Sequence, residues 1–195
     1  GASIVGGDIT AADAITISVT ALGSLDGRAP VLRSGATPGD VLAVAGRLGW
    51  AAAGLAVLSR GFRAPKLLVD AHRAPQPPYA AGIDAAKAGA TAMIDVSDGL
   101  IADVRHLADA SGVTINIETA AFTIDDALQS TAAAYNVDPL EWVLTGGDDH
   151  ALAATFPAGT RLPKGWLQVG QVREGDPQVT VNSVPVLSLI HISEP

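Results

Sequence analysis

The stretch Ile94-Asp95-Val96-Ser97-Asp98-Gly99-Leu100 decides how this chain is read. Thr91 to Val96 is an apolar run of strand length. Leu100, Val104, Leu107 and Ala108 then recur at helical spacing, so a strand passes into a helix that Ser97 or Asp98 opens. Two carboxylates three residues apart stand at that junction. Strand ends that abut helix N-termini are where ligands gather in open sheets. Crowded acids there repel each other unless a cation lies between them. Magnesium, with its preference for carboxylate and phosphate oxygen, meets that need. The plainer alternative is that Asp98 only caps the helix and Asp95 is hydrogen-bonded. Function is the favoured reading.

Downstream, Val113, Ile115 and Ile117 alternate with polar neighbours as a strand. Thr123 with Asp126 resembles a capping box for a helix running to about Tyr135. Asp138-Pro139 caps and starts a short helix that stops at Gly146-Gly147. Strands are expected over 150–156, 166–172 and 178–184. Upstream, Ile83 to Ala88 reads as a helix. His72 to Tyr79, with Pro75, Pro77 and Pro78, reads as an extended loop. Trp50 to Arg60 is an Ala/Leu-rich helix closed by Gly61. Val41 to Val44 is a strand behind the Pro38-Gly39-Asp40 turn. Gly23 to Pro30 is a connection and candidate domain boundary, and Ile15 to Thr20 alternates as a half-buried strand. Helices and strands interleave without a regular βαβ repeat. The expected fold class is α+β, with helices packed on a mixed sheet.

Composition limits the function. Of 195 residues 48% are apolar but only 4% aromatic, so Ala, Val, Leu and Ile must fill the core. With 12 basic against 20 acidic residues, the net charge of -8 repels nucleic acid, which is not an expected partner. Cysteine is absent, which removes disulfides and thiolate metal sites. No stretch has the ~20 apolar residues of a membrane span, and a cytoplasmic setting is expected. The start, Gly1-Ala2-Ser3-Ile4, has neither an initiator Met nor the basic start of a signal peptide, and reads as a cut inside a longer gene. Leu187 to Pro195 resembles the in-frame translation of a sequencing-library adapter, so His191 is set aside.

Three further clusters carry polar chemistry. Gly6-Gly7-Asp8 is a flexible turn that lets backbone approach a phosphate and offers Asp8 to magnesium; an ordinary turn is the other reading. Arg33, before Ser34-Gly35-Ala36, presents a guanidinium fork to phosphate oxygens or is a solvated surface arginine. Thr145-Gly146-Gly147-Asp148-Asp149-His150 places adjacent acids after a glycine turn, suited to a cation or a positively charged ring. No P-loop motif and no protein-kinase signature occurs, and Lys66, Lys87 and Lys164 lie in no glycine-rich loop. His72 and His106 lack metal-ligand spacing. Trp50, Trp142 and Trp166 read as core.

In order, these clusters resemble the thiamine-monophosphate kinase family, whose motifs run approximately G-G-D-T-T, R-S-G-A-x-P-G-D, R-P-x-P, I-D-x-S-D-G-L and G-G-E-D-[YH]. The counterparts are Gly6 to Thr10, Arg33 to Asp40, Arg73 to Pro77, Ile94 to Leu100 and Gly146 to His150. The resemblance covers residues 1 to about 186. It implies a fold like that of aminoimidazole ribonucleotide synthetase (PurM-like). Residues 1–28 would end an N-terminal domain that dimerises through its sheet, 29–186 would form the C-terminal domain, and 187–195 would be adapter read-through. It further implies Asp8, Asp95 and Asp98 as magnesium ligands, with Gly7, Asp8, Arg33 and Ser97 holding ATP. Asp148 would contact the substrate in place of a Glu one methylene longer.

The implied reaction is direct, in-line transfer of the γ-phosphoryl of ATP to thiamine monophosphate, with several Mg2+ ions and a homodimeric enzyme. The family's upstream acidic ligands and its terminal aromatic are missing here, so the chain alone is expected to be inactive. Two other readings remain. One is another ATP-dependent enzyme of this fold, such as a selenophosphate or aminoimidazole ribonucleotide synthetase; the other is a non-catalytic nucleotide-binding regulator.

Overall fold

A computed structural model describes residues 2–186; the adapter-like segment lies outside them. Seven strands form one sheet in the order β2-β4-β1-β5-β3-β6-β7. They are β1 (Val41–Ala45), β2 (Ala92–Val96), β3 (Thr114–Ile117), β4 (Ala151–Phe156), β5 (Trp166–Arg173), β6 (Gln178–Val181) and β7 (Val184–Pro185). All pairings are antiparallel except β3 with β6, so the sheet is mixed, as expected. Six α-helices flank it: α1 (Trp50–Ser59), α2 (Lys66–Arg73), α3 (Tyr79–Lys87), α4 (Leu100–Ser111), α5 (Asp126–Tyr135) and α6 (Pro139–Thr145).

Two apolar clusters divide between the sheet faces by the two-residue period of the strands. Ile94 and Val96 face the larger one, with Leu100, Val104 and Leu107 of α4 and Ile115 and Ile117 of β3. Those three α4 residues are fully buried, as their helical spacing requires. The smaller cluster joins Ala43, Ala154, Phe156 and Trp166, with Met93 and Leu152 against it. Phe156 meets Trp166 edge to face, with centroids 5.4 Å apart. Elsewhere small residues replace aromatic bulk. A Cβ on Gly54 of α1 would lie 2.1 Å from the Leu68 carbonyl oxygen of α2, so glycine is what lets these helices touch.

Several elements differ from the sequence reading. Ile15 to Thr20 forms no strand, and Ile15, Ile17 and Val19 are 96%, 83% and 85% exposed. A lone alternating segment has nothing to satisfy its backbone groups or cover its apolar edge, and no strand of the described residues pairs with it. His72 and Arg73, expected in a loop, complete α2; the prolines begin just beyond it and do not interrupt it. Thr123 does not cap α5; Asp125 does, accepting the Ala127 N–H at 2.9 Å. The expected strand over 178–184 is a hairpin, β6 and β7, turned by Asn182 and Ser183 at φ 50° and 68°. Trp166 is buried, but Trp50 and Trp142 are only partly so. The Asp138-Pro139 start and the stop at Gly146 hold as read.

Candidate functional site

The site lies at one end of three neighbouring strands. In register, Asp95 of β2 stands beside Leu152 of β4, and Leu152 beside Ala45 of β1. The chain turns leaving β2, leaving β1 and entering β4 therefore meet at one end. These turns are residues 97–99, 46–49 and 146–150. They interlock through glycine. A Cβ on Gly99 would lie 2.5 Å from the Thr145 carbonyl oxygen, and one on Gly147 would lie 2.3 Å from that of Ser97. Backbone bonds complete the join: Asp148 N–H donates to Ser97 O at 2.8 Å and His150 N–H to Val96 O at 3.1 Å. Two motifs fifty residues apart thus form one surface.

Asp95 and Asp98 are exposed on it, Ser97 is half-buried, and Asp148 is exposed with φ 65°. His150 Nδ1 lies 3.9 Å from Asp95 Oδ2. Among the described residues no three acidic or imidazole side chains gather closely enough to hold a metal by themselves. The oxygen donors nevertheless suit magnesium, which is commonly held by one or two carboxylates together with substrate phosphates. Asp95 and Asp98 would hold it, with neither carboxylate spent on a hydrogen bond to the protein.

Neither Ser97 nor Asp98 caps α4. Gly99 occupies the cap position, and Asp103, 3% exposed, does the bonding: its Oδ2 accepts the N–H groups of Ser97, Asp98 and Gly99 at 2.9, 2.9 and 3.2 Å. Burial raises the Asp103 carboxyl above its usual range and the charge of Asp98 adds to this, while the three amides pull it down. Asp149 performs a second internal task. It is 6% exposed, and its Oδ1 accepts the Ala51 N–H of α1 at 3.0 Å, across 98 residues. Its Oδ2 is buried without a partner. Desolvation pushes this carboxyl up to about 6, against the amides of Ala51, Gly49 and Trp50 and the charge of Arg47.

Sequence reasoning missed Asp103, the bridging role of Asp149, and Arg47. Arg47 follows β1 at this same end, with its Cζ 4.5 Å over the Trp50 ring. A cavity of about 220 Å³ opens beside it, lined by Trp50, Phe122, Leu128, Val143 and Leu167. The one local signal for Arg47 is its place in a Gly-Arg-Leu-Gly turn after a strand.

The remaining expected residues lie elsewhere. Gly7 and Asp8 sit in the exposed N-terminal segment, with no atom within 4 Å of where a Gly7 Cβ would be. Arg33 is exposed, and its carbonyl accepts from Ser111 Oγ at the far end of α4. A helix of twelve residues is ~18 Å long, so Arg33 does not adjoin Asp98. Asp40, at the end of the same motif, is buried and structural, accepting from Thr37 N–H and Thr91 Oγ1.

Comparison with known proteins places this α+β domain in a known family. Residues 37–157 match the model of the AIR synthase related protein, C-terminal domain, and the chain belongs to that family. Curated relatives that it matches include thiamine-monophosphate kinases. That of Mycobacterium tuberculosis is 53% identical over 93% of this chain and 54% of its own length, and that of Corynebacterium glutamicum 42% identical over 88% and 53%. The solved structure of AaThiL complexed with AMPPCP and TMP superposes with a TM-score of 0.72 at 35% identity, over 81% of this chain and 52% of that one. The resemblance read from the five motifs is thereby borne out, as is the PurM-like fold. The chain spans about half the length of the curated relatives it matches. Among the described residues no helix is long and apolar enough to cross a membrane.

Proposed function

We propose that the protein to which this chain belongs is a thiamine-phosphate kinase, transferring the γ-phosphoryl of ATP in line to thiamine monophosphate to yield thiamine diphosphate. The observation that carries the reading is the interlock of the Asp95–Gly99 and Gly146–His150 turns, which puts three exposed carboxylates at one end of the strands. Named relatives that are thiamine-monophosphate kinases, and a structural neighbour holding an ATP analogue with TMP, support it.

Donor and acceptor are both anions, and an acidic protein repels both until their charge is screened. Magnesium, when bound, supplies that screening and a fixed geometry. Asp95 and Asp98 would hold the cation, with Asp8 of the N-terminal segment as a further ligand. Ser97 would offer its hydroxyl to the nucleotide and Gly7 would join from the N-terminal segment, while Arg33, at the far end of α4, stands apart from this group. Asp148 would face the cationic ring of the substrate. No covalent intermediate is required. Residues 1–28 are proposed as the end of an N-terminal domain through which the enzyme dimerises in the cytoplasm, and 29–186 as the C-terminal domain.

The test is an assay of the intact protein with ATP, magnesium and thiamine monophosphate, alongside Asp95→Asn/Asp98→Asn. Thiamine diphosphate should form, and the double variant should lose at least a hundredfold in rate. Nucleotide binding that is unaffected by both a chelator and the double substitution would overturn the reading.

A further inference from the structure

The N-terminus of a helix ordinarily attracts anions, because its first N–H groups are unpaired and the helix dipole is positive there. At α4 the amides of the turn that leads into the helix, its cap residue Gly99 included, are already spent. The amides of three successive residues, 97 to 99, converge on one oxygen of Asp103, a side chain that is 3% exposed and belongs to the same helix. A carboxylate buried under the turn also offsets the positive end of the dipole. The N–H groups of the turn point inward, and Asp95, Ser97 and Asp98 remain partly or fully exposed on its outer side.

We propose that Asp103 is a positioning residue which fixes the Ser97–Gly99 turn so that Asp95 and Asp98 face outward as a cation-binding pair, with the turn's own amides drawn inward and withheld from nucleotide phosphate. This deepens the reading of Asp95 and Asp98 as cation ligands and rests on it. Asp103 touches neither substrate nor metal. Its contribution is to fix the peptide planes that set the spacing of the two outer carboxylates, and to hold the amides of residues 97–99 away from an anion at that surface. The turn is braced from the other side by Gly147 against the Ser97 carbonyl, so the three amides have one orientation in which all are satisfied.

The experiment uses the 195-residue chain, isotopically labelled, with Mn2+ as probe and amide resonances as readout. In wild type, Mn2+ should broaden the amide signals of residues 95–98 first, and Asp95→Asn/Asp98→Asn should abolish that selectivity. Asp103→Asn retains an acceptor oxygen and should need no more than about threefold more Mn2+. Asp103→Ala should need at least tenfold more, and its amides 97–99 should exchange with solvent at least tenfold faster, while Asn at 103 largely preserves their protection. Unchanged exchange and unchanged Mn2+ response in Asp103→Ala would overturn the proposal, as would a loss in Asp103→Asn equal to that in Asp103→Ala. If Asp103→Ala fails to fold, Asp103→Asn alone decides: its amides 97–99 must stay protected and its Mn2+ response must stay near wild type. Absence of selective broadening in wild type would refute the cation reading of Asp95 and Asp98 and this proposal's premise with it. Protected amides in that case would leave Asp103 as a helix cap only.

Discussion

Replacing Asp149 with asparagine keeps the shape of the side chain and an acceptor for the Ala51 N–H, while removing a charge that the fold holds out of water. In the folded protein that carboxyl is pushed from its ordinary 3.8 up to about 6, chiefly by burial. A raised value means that the folded state binds the proton more tightly than the unfolded chain. Its contribution to stability is therefore fully present below pH ~3.8 and is lost as pH climbs toward ~6. The two values lie roughly two pH units apart, and each is worth ~1.4 kcal/mol, so ionised Asp149 costs the fold up to ~3 kcal/mol at neutral pH. Asp103 shifts in the same direction, but it is common to both proteins and cancels in their difference. Urea unfolding of wild type and Asp149→Asn at pH 4 and pH 7 gives four stabilities. The change in the variant's relative stability between the two pH values should favour asparagine at pH 7 by ~2–3 kcal/mol. This double difference is insensitive to any fixed cost of the new amide group, which sits where Oδ2 now has no partner. A double difference below ~0.5 kcal/mol would refute the claim that Asp149 is desolvated in the folded state.

Other consequences are more local. Gly147→Ala drives a Cβ against the Ser97 carbonyl and breaks the Asp148 N–H bond to it; a cost of ~1–3 kcal/mol is expected, read as a fall in melting temperature of ~3–10 °C. Leu107→Ala empties a fully buried site between α4 and the sheet and should cost ~2–5 kcal/mol in chemical unfolding. In the intact enzyme, Asp148→Ala should raise KM for thiamine monophosphate about tenfold to a hundredfold, the range for losing a bond to a charged group, with KM for ATP nearly unchanged. Equal effects on both substrates would remove Asp148 from the ring's contacts.

Much of this architecture was legible locally because its signals are local. The Asp138-Pro139 start of α6, the glycine after α1 and the apolar face of α4 each follow from the geometry of one element. Caps failed where two candidates lay within a few residues: Asp125 displaced Thr123 because its carboxylate reaches the Ala127 amide from the residue immediately before the helix. The strand expected over 15–20 failed for a different reason, since alternation states only that a segment is suited to pairing and not that a partner is present.

From its order of residues alone the chain declared an α+β fold and five motifs in family order, and it drew out Asp95, Asp98 and Asp148 as candidate ligands. What only tertiary structure decided is the division of labour among the acids. Asp98 and Asp149 each sit within a motif, and Asp103 lies just past one. Yet Asp98 is exposed, while Asp103 gathers three amides and Asp149 bridges to α1 across 98 residues. A carboxylate has the same chemistry at every position. Whether it meets water, a cation or a backbone N–H depends on which chain segments close around it, and that is set by packing between residues far apart in sequence.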